Sequence, residues 1–164
     1  MKKEKKAEKK PIYALLYART VNMDAEGPNQ SIQKQLGECR SFAKARGYIV
    51  EKDATFTEDS SGLVYYTERE GLQGILARID KFPERAFVVI VNDISRIARN
   101  ITNYDAYCAV LGARGVSLVS ANTTGVEDTP EEKLKRDITM IMGRYEFNKR
   151  SERAFQAIRR KAGK

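Results

Sequence analysis

Apolar runs of strand length alternate along this chain with stretches in which apolar residues recur every three or four positions. The first run, IYALLYA (12–18), is continuous, as in a strand buried on both faces of a parallel sheet. Residues 22–30 are polar and contain Gly27 and Pro28, which predicts a loop. Ser31 is placed to cap a helix ending at Gly47, with Leu36, Cys39 and Phe42 on its inner face. YIVEKDATFT (48–57) reads as a strand, and EDSSGLVYYTER (58–69) as a long polar loop with a tyrosine pair. EGLQGILARI (70–79) aligns Leu72, Ile75, Leu76 and Ile79 on one helical face. AFVVIV (86–91) is the strongest buried strand. NDISRIARN (92–100) is a loop, a helix is predicted near 101–114, VSLVSA (116–121) is a further strand, and NTTGVED (122–128) closes the series as a loop.

The last segment differs in kind. Thr129, Pro130, Glu131 and Glu132 give a capping residue, a first-turn proline and two acids near the positive end of a helix dipole. The helix they start is expected to run to about 161. Its apolar stripe is Leu134, Ile138, Ile141 and Tyr145, and beyond Tyr145 lysines and arginines take over. The predicted organisation is a basic tail over 1–11, one domain over 12–128, and a long helix over 129–164. Four strands alternating with helices predict an α/β fold with a mostly parallel sheet of four to five strands.

Composition narrows the class of molecule. Of 164 residues, 41% are hydrophobic and 32% charged, and no apolar run approaches membrane-spanning length. The N-terminus MKKEKKAEKK has no apolar core after its charges, so it does not read as a secretory signal. Cys39 and Cys108 read as free thiols, consistent with a reducing cytoplasm. There is no histidine, which removes the commonest general base and metal ligand. With only two separate cysteines, no zinc site is expected.

The net charge of +8 is concentrated at the two ends. Residues 1–10 carry a net +4 and residues 149–164 a net +6, so the 138 residues between them sum to −2. A basic helix beside a compact domain points to nucleic acid, through Lys149, Arg150, Arg153, Arg159, Arg160 and Lys161.

In parallel α/β sheets ligands gather at the carboxyl ends of the strands. Those ends should carry Arg19, Arg69, Arg96 and Arg99. Four arginines converging on one sheet edge repel one another without an anion, and guanidinium forks match phosphate oxygens at any relevant pH.

Five motifs in order give these arginines a context. YAR (17–19) resembles the tyrosine-x-arginine-x-serine motif of the serine recombinases of the resolvase/invertase type. SIQKQLGECRSFAKARGY (31–48) resembles that family's next helix, with its glutamine at Gln35. SSG (60–62) and TEREGLQGIL (67–76) resemble its serine-glycine loop and arginine motif, placing Arg69. ISRIARN (94–100) resembles its third-strand signature, placing Arg96 and Arg99. YEFNKRSERAFQAI (145–158) resembles the start of its long dimer-forming and DNA-contacting helix, with a glutamate at Glu146.

The resemblance implies a resolvase-like three-layer domain in which a serine hydroxyl attacks a DNA phosphodiester while arginines neutralise the phosphate. It implies no nucleotide or metal cofactor, a homodimer that becomes a tetramer on DNA when active, and a bacterial, phage or mobile-element origin. It also implies that 129–164 begins a linker to a separate DNA-reading module.

The sequence departs from the family pattern at the position that matters most. The family serine, two residues after the arginine, falls on Val21, which has no nucleophile. Positions two apart in a strand share a face, so Thr20 is expected to point away from Arg19. The aspartate that precedes the third-strand arginine falls on Ser95, with Asp93 two positions earlier. The acid before the serine-glycine loop is Glu58 or Asp59. Two readings follow. One is a recombinase catalytic domain that is impaired or inactive. The other is a non-catalytic DNA-binding or regulatory module that pairs with an active recombinase.

Overall fold

The computed structural model describes residues 10–21, 28–122, 138, 149–150 and 152–163. The elements in chain order are strand β1 (Ile12–Thr20), helix α1 (Pro28–Ala45), β2 (Thr55–Asp59), α2 (Glu70–Lys81), β3 (Ala86–Val91), α3 (Ile101–Gly112) and β4 (Ser117–Ser120). Short 3-10 turns occupy Tyr66–Glu68 and Ile94–Arg96. The sheet has the order β2-β1-β3-β4, and every pairing is parallel.

Its layers follow from the period of two along β1. Ala14, Leu16 and Ala18 point to one face, where α1 covers them with Ile32, Leu36, Cys39 and Ala43. Leu15 and Tyr17 point to the other, against Leu72, Ile75, Leu76 and Ile79 of α2 and Tyr104, Tyr107 and Leu111 of α3. A strand flanked on both edges and both faces has to be apolar throughout, which is why the first run is continuous. The result is the three-layer α/β domain that the pattern and the resemblance predict.

Three boundaries differ most from the sequence reading. Helix α1 begins at Pro28, three residues before the expected Ser31 cap. A proline in the first turn gives up an N–H that would have no helical partner there. The helix closes at Gly47, whose φ of 71° is left-handed, and the Tyr48 N–H bonds back to the Ala43 carbonyl at 2.9 Å.

The single strand expected over 48–57 is split. Ile49 bridges Tyr13, the chain turns at Lys52 and Asp53, and β2 starts at Thr55. Strand β2 then runs to Asp59, into the expected loop, and the Ser60 N–H donates to the Thr20 carbonyl at 3.0 Å.

The helix predicted from Thr129 lies mostly outside the described residues, as does Glu146. Ile138 is helical, as are 149–150 and 152–162.

Candidate functional site

Strand β1 delivers Arg19 onto the face that carries Tyr17, toward α2. The side chain is only 2% exposed, and it is held by main-chain carbonyls. Its Nε donates to the Arg96 carbonyl at 2.9 Å, Nη1 to Ser60 at 2.6 Å and Nη2 to Ser95 at 3.1 Å. Arg19 therefore ties the loop after β2 to the turn after β3.

Its own backbone needs a partner as well. Odd residues of β1 bond toward β3 and even residues toward β2, but β3 ends at Val91, opposite Tyr17. The Gln35 side-chain amide substitutes for the missing strand. Its Oε1 accepts from the Arg19 N–H at 3.1 Å, and its Nε2 donates to the Arg19 carbonyl at 3.0 Å.

Arg69 caps the start of α2 and is 1% exposed. Its Nε donates to Glu58 Oε1 at 3.1 Å, and its Nη2 donates to the Arg96 carbonyl at 2.8 Å and to the Tyr17 hydroxyl. Its Nη1 donates to the Ile97 carbonyl. The Tyr17 hydroxyl donates in turn to Glu58, which closes a buried triangle of tyrosine, carboxylate and guanidinium. A side chain at Gly71 would intrude here, since a Cβ would lie 3.0 Å from Tyr17 Cε2.

Burial holds the Tyr17 hydroxyl well above the ordinary phenol range, against the opposing pull of Arg69, so it stays protonated and can donate. Burial also pushes the Arg19 guanidinium down to about 10, and the charges of Arg69, Arg99 and Arg96 add to that. It remains a cation at neutral pH, close to three others.

Arg96 and Arg99 are placed differently. Arg96 is partly buried, with its Nε enclosed and lacking a hydrogen-bond partner. Arg99 is exposed, and its main-chain N–H donates to the Gly62 carbonyl at 3.0 Å. Among the described residues, the one carboxylate in an ion pair with any of the four arginines is Glu58, on Arg69. Asp93 does not supply a second one, because its Oδ1 accepts the Ser95 N–H at 2.8 Å as the cap of the 94–96 turn. Ser95 itself is exposed.

The hydroxyl beside Arg19 is absent. Val21 lies one residue past β1, half exposed at 49%. Thr20 is buried in the register that faces α1, away from the guanidinium cluster. The Ser60 hydroxyl donates to the Ser61 carbonyl at 3.4 Å, and the Ser61 hydroxyl accepts from the Leu63 N–H at 3.2 Å. Lys149, Arg150, Arg153, Arg159, Arg160 and Lys161 are helical and exposed.

Two partners of the site were not singled out as site residues in the sequence. In the sequence Tyr17 stands out only as a letter of the first-strand motif, and Glu58 only as one of two acids. A signal existed for the first, since a tyrosine in a strand buried on both faces needs a partner for its hydroxyl.

Fold and site together define a parallel α/β domain that concentrates guanidinium groups at the carboxyl edge of its sheet, the arrangement of a serine-recombinase catalytic domain. The chain belongs to the resolvase family: residues 14–164 match the family model "Resolvase, N terminal domain". Serine recombinases act on DNA and typically oligomerise. No curated protein matches the chain.

Solved structures share its fold. The C-terminal catalytic domain of ISC1926 TnpA, an IS607-like serine recombinase, is similar at 20% identity and a TM-score of 0.57, over 93% of this chain and 99% of that one. The N-terminal catalytic domain of TP901-1 integrase is similar at 21% identity and 0.58, over 84% and 97%. A resolvase family site-specific recombinase from Streptococcus pneumoniae is similar at 17% identity and 0.59, over 94% and 100%. Among the described residues no helix is long and apolar enough to cross a membrane.

Proposed function

We propose that this recombinase domain holds a DNA phosphate at its arginine edge and does not cut it. The observation that supports this most directly is Val21. The guanidinium groups are present, but the side chain at the tip of β1 that should stand beside Arg19 is a hydrocarbon. Without a nucleophile no covalent step can begin, because no remaining group performs the attack.

DNA contact is assigned to the exposed basic residues of the C-terminal helix, as phosphate binding that is sensitive to salt and weakly selective for sequence. Dimerisation is assigned to the helix expected from Thr129. Phe155 and Ile158, one turn apart and 67% and 65% exposed, extend its apolar character into the basic segment. On this reading the tail, the domain and the helix occupy 1–11, 12–128 and 129–164. The homodimer is the form that meets DNA, and no metal or nucleotide takes part.

The test is a nicked suicide substrate incubated with the protein. The expected outcome is a DNA mobility shift at low salt with no covalent protein–DNA adduct. Recovery of a 5′-phosphoryl link to any residue overturns it. Val21→Ser is the companion variant. Adduct formation by that variant alone shows that the valine is the sole block, and its absence brings in Ser95, where the family has an acid. A second reading, that the domain pairs with an active recombinase and biases it, rests on the same valine together with the exposed Phe155 and Ile158. Heterodimer formation with an active relative tests it.

A further inference from the structure

We propose that the loop between β2 and α2 is a base-stacking platform, on which Tyr65 and Leu63 receive the face of an unpaired DNA base. The inference rests on the phosphate-binding reading above for the backbone of that nucleotide. It goes beyond that reading by giving the base a partner.

The loop is held along its whole length. The Ser60 N–H donates to the Thr20 carbonyl at 3.0 Å, and the Ser60 carbonyl accepts Arg19 Nη1 at 2.6 Å. The Ser61 carbonyl accepts the Val64 N–H at 3.1 Å, and the Gly62 carbonyl accepts the Arg99 N–H at 3.0 Å. The Leu63 carbonyl accepts Asn103 Nδ2 at 3.3 Å, and the Tyr65 carbonyl accepts the Glu68 N–H at 3.0 Å. A backbone fixed in this way has little freedom left to lose when a ligand arrives.

What this fixed backbone presents is apolar. Leu63 is 42% exposed and Tyr65 40%. The neighbouring Tyr66 is the anchor, its ring 5.5 Å from that of the fully buried Tyr107. The Tyr65 ring rests on Tyr66 at 4.8 Å, tilted by 43°. Three rings thus run in series from the core to solvent, with Tyr65 outermost. A ring backed in this way offers a large contact area at low cost in side-chain entropy.

The class of partner follows from what adjoins the loop. The Arg99 stem lies against Gly62, where a Cβ would sit 2.8 Å from Arg99 Cγ. Arg99 is exposed, so a cation leaves the fold beside the residue that precedes Leu63. Val21 lies one residue past the Thr20 carbonyl that holds Ser60, and it adds a third exposed apolar side chain at this margin. A guanidinium next to aromatic and aliphatic surface matches a nucleotide, with phosphate on the cation and base on the ring. A purely apolar partner would leave Arg99 unused. Within a duplex each base is covered by its neighbours and shows only its edges, so Tyr65 can take a base only from an unpaired strand. Every base has such a face, so the platform tolerates any sequence.

The experiment measures binding of the full chain to a short oligothymidylate and to an abasic oligomer of the same length. Both carry the same phosphates, so contacts to the backbone cancel in the ratio of affinities. The expected result is a preference of about tenfold for the oligomer with bases. Tyr65→Ala should bring that ratio close to one without changing the abasic affinity, and Tyr65→Phe should preserve it. Leu63→Ser should reduce it less. Equal binding of the two oligomers by the parent protein overturns the platform, as does a preference that survives Tyr65→Ala. Arg99→Gln should weaken both oligomers alike. If it changes neither, the phosphate reading fails at this residue, and the ratio still judges the platform separately.

Two further measurements close the test. An iodouracil-substituted oligomer irradiated with the unaltered protein should crosslink to Tyr65, and crosslinks confined to other residues overturn the proposal whether or not the alanine variant folds. Sedimentation of Tyr65→Ala should match that of the parent. A change of mass with unchanged oligomer binding also overturns it, because the face would then serve a second copy of the chain.

Discussion

The molecule has two arginine-rich ends, and they solve opposite problems. At the amino edge of the sheet, Arg78 pairs with Glu51 and Asp53, both at 2.5 Å, and Arg85 pairs with Glu51 at 3.0 Å. Both guanidinium groups also lie over the Phe82 ring, at 4.9 and 4.3 Å, and Arg85 lies over Tyr13 at 4.6 Å. Each cation there faces an anion, and the cluster fastens the turn between Ile49 and β2. At the carboxyl edge Arg19 and Arg69 are more deeply buried but face mainly carbonyls. A carbonyl satisfies the hydrogen-bonding needs of a guanidinium and leaves its charge in place. The amino edge is therefore close to charge-balanced, while the carboxyl edge keeps a positive field aimed at whatever approaches the ends of the strands.

The largest expected effect comes from breaking the Arg69–Glu58 ion pair of the carboxyl edge. Arg69→Met leaves Glu58 as a buried carboxylate without its cation, the pair's side chains being 1% and 8% exposed. Removing one partner of such a pair costs about 3–5 kcal/mol. Urea melts should show the loss as a lower midpoint with an unchanged slope. A cost below about 1 kcal/mol, the range of surface pairs, would erase the distinction between the two ends.

Gly62→Ala should cost less and act more locally. A Cβ there would sit 2.8 Å from Arg99 Cγ and 3.1 Å from Arg19 Nη2. Overpacking of this kind costs about 1–3 kcal/mol. The stem of Arg99 is more exposed than the buried Arg19, so Arg99 should be the one to move. Phosphate affinity should therefore fall further than thermal stability. Equal affinity for the alanine variant would mean that the position of Arg99 does not matter.

Much of the fold is written in periodicity, and the site is legible only in part for a specific reason. The continuous run at 12–18 marks β1 as central, and the 3.6-residue spacing of Leu72, Ile75, Leu76 and Ile79 fixes the inner face of α2. The split at Lys52 and Asp53 is not legible that way. It depends on Arg78 and Arg85, more than twenty residues further along, pairing with Glu51 and Asp53. The same holds at the site. Sequence order places four arginines on converging loops, because a loop's position follows from its strand. It does not say which guanidinium groups are already occupied. That depends on carbonyls at 60 and 95–97 and on Tyr17 and Glu58, contacts set by the tertiary fold.

The smallest expected effect repeats one chemical change at both ends. Glu51→Gln removes a carboxylate from the amino-edge cluster, as Glu58→Gln does from the carboxyl edge. Glu51 is part of a surface network, its side chain 30% exposed. Pairs of that kind contribute about 0–1 kcal/mol and are screened by salt. The stability difference from the parent protein should therefore shrink as ionic strength rises, and phosphate binding at the far edge should not change. Glu58 is shielded from solvent, so the effect of replacing it should persist at the same ionic strength. A salt-independent cost at Glu51 comparable to that at Glu58 would place both clusters in one class. A real difference between the two ends requires the two substitutions to separate in size, in salt dependence and in their consequence for phosphate.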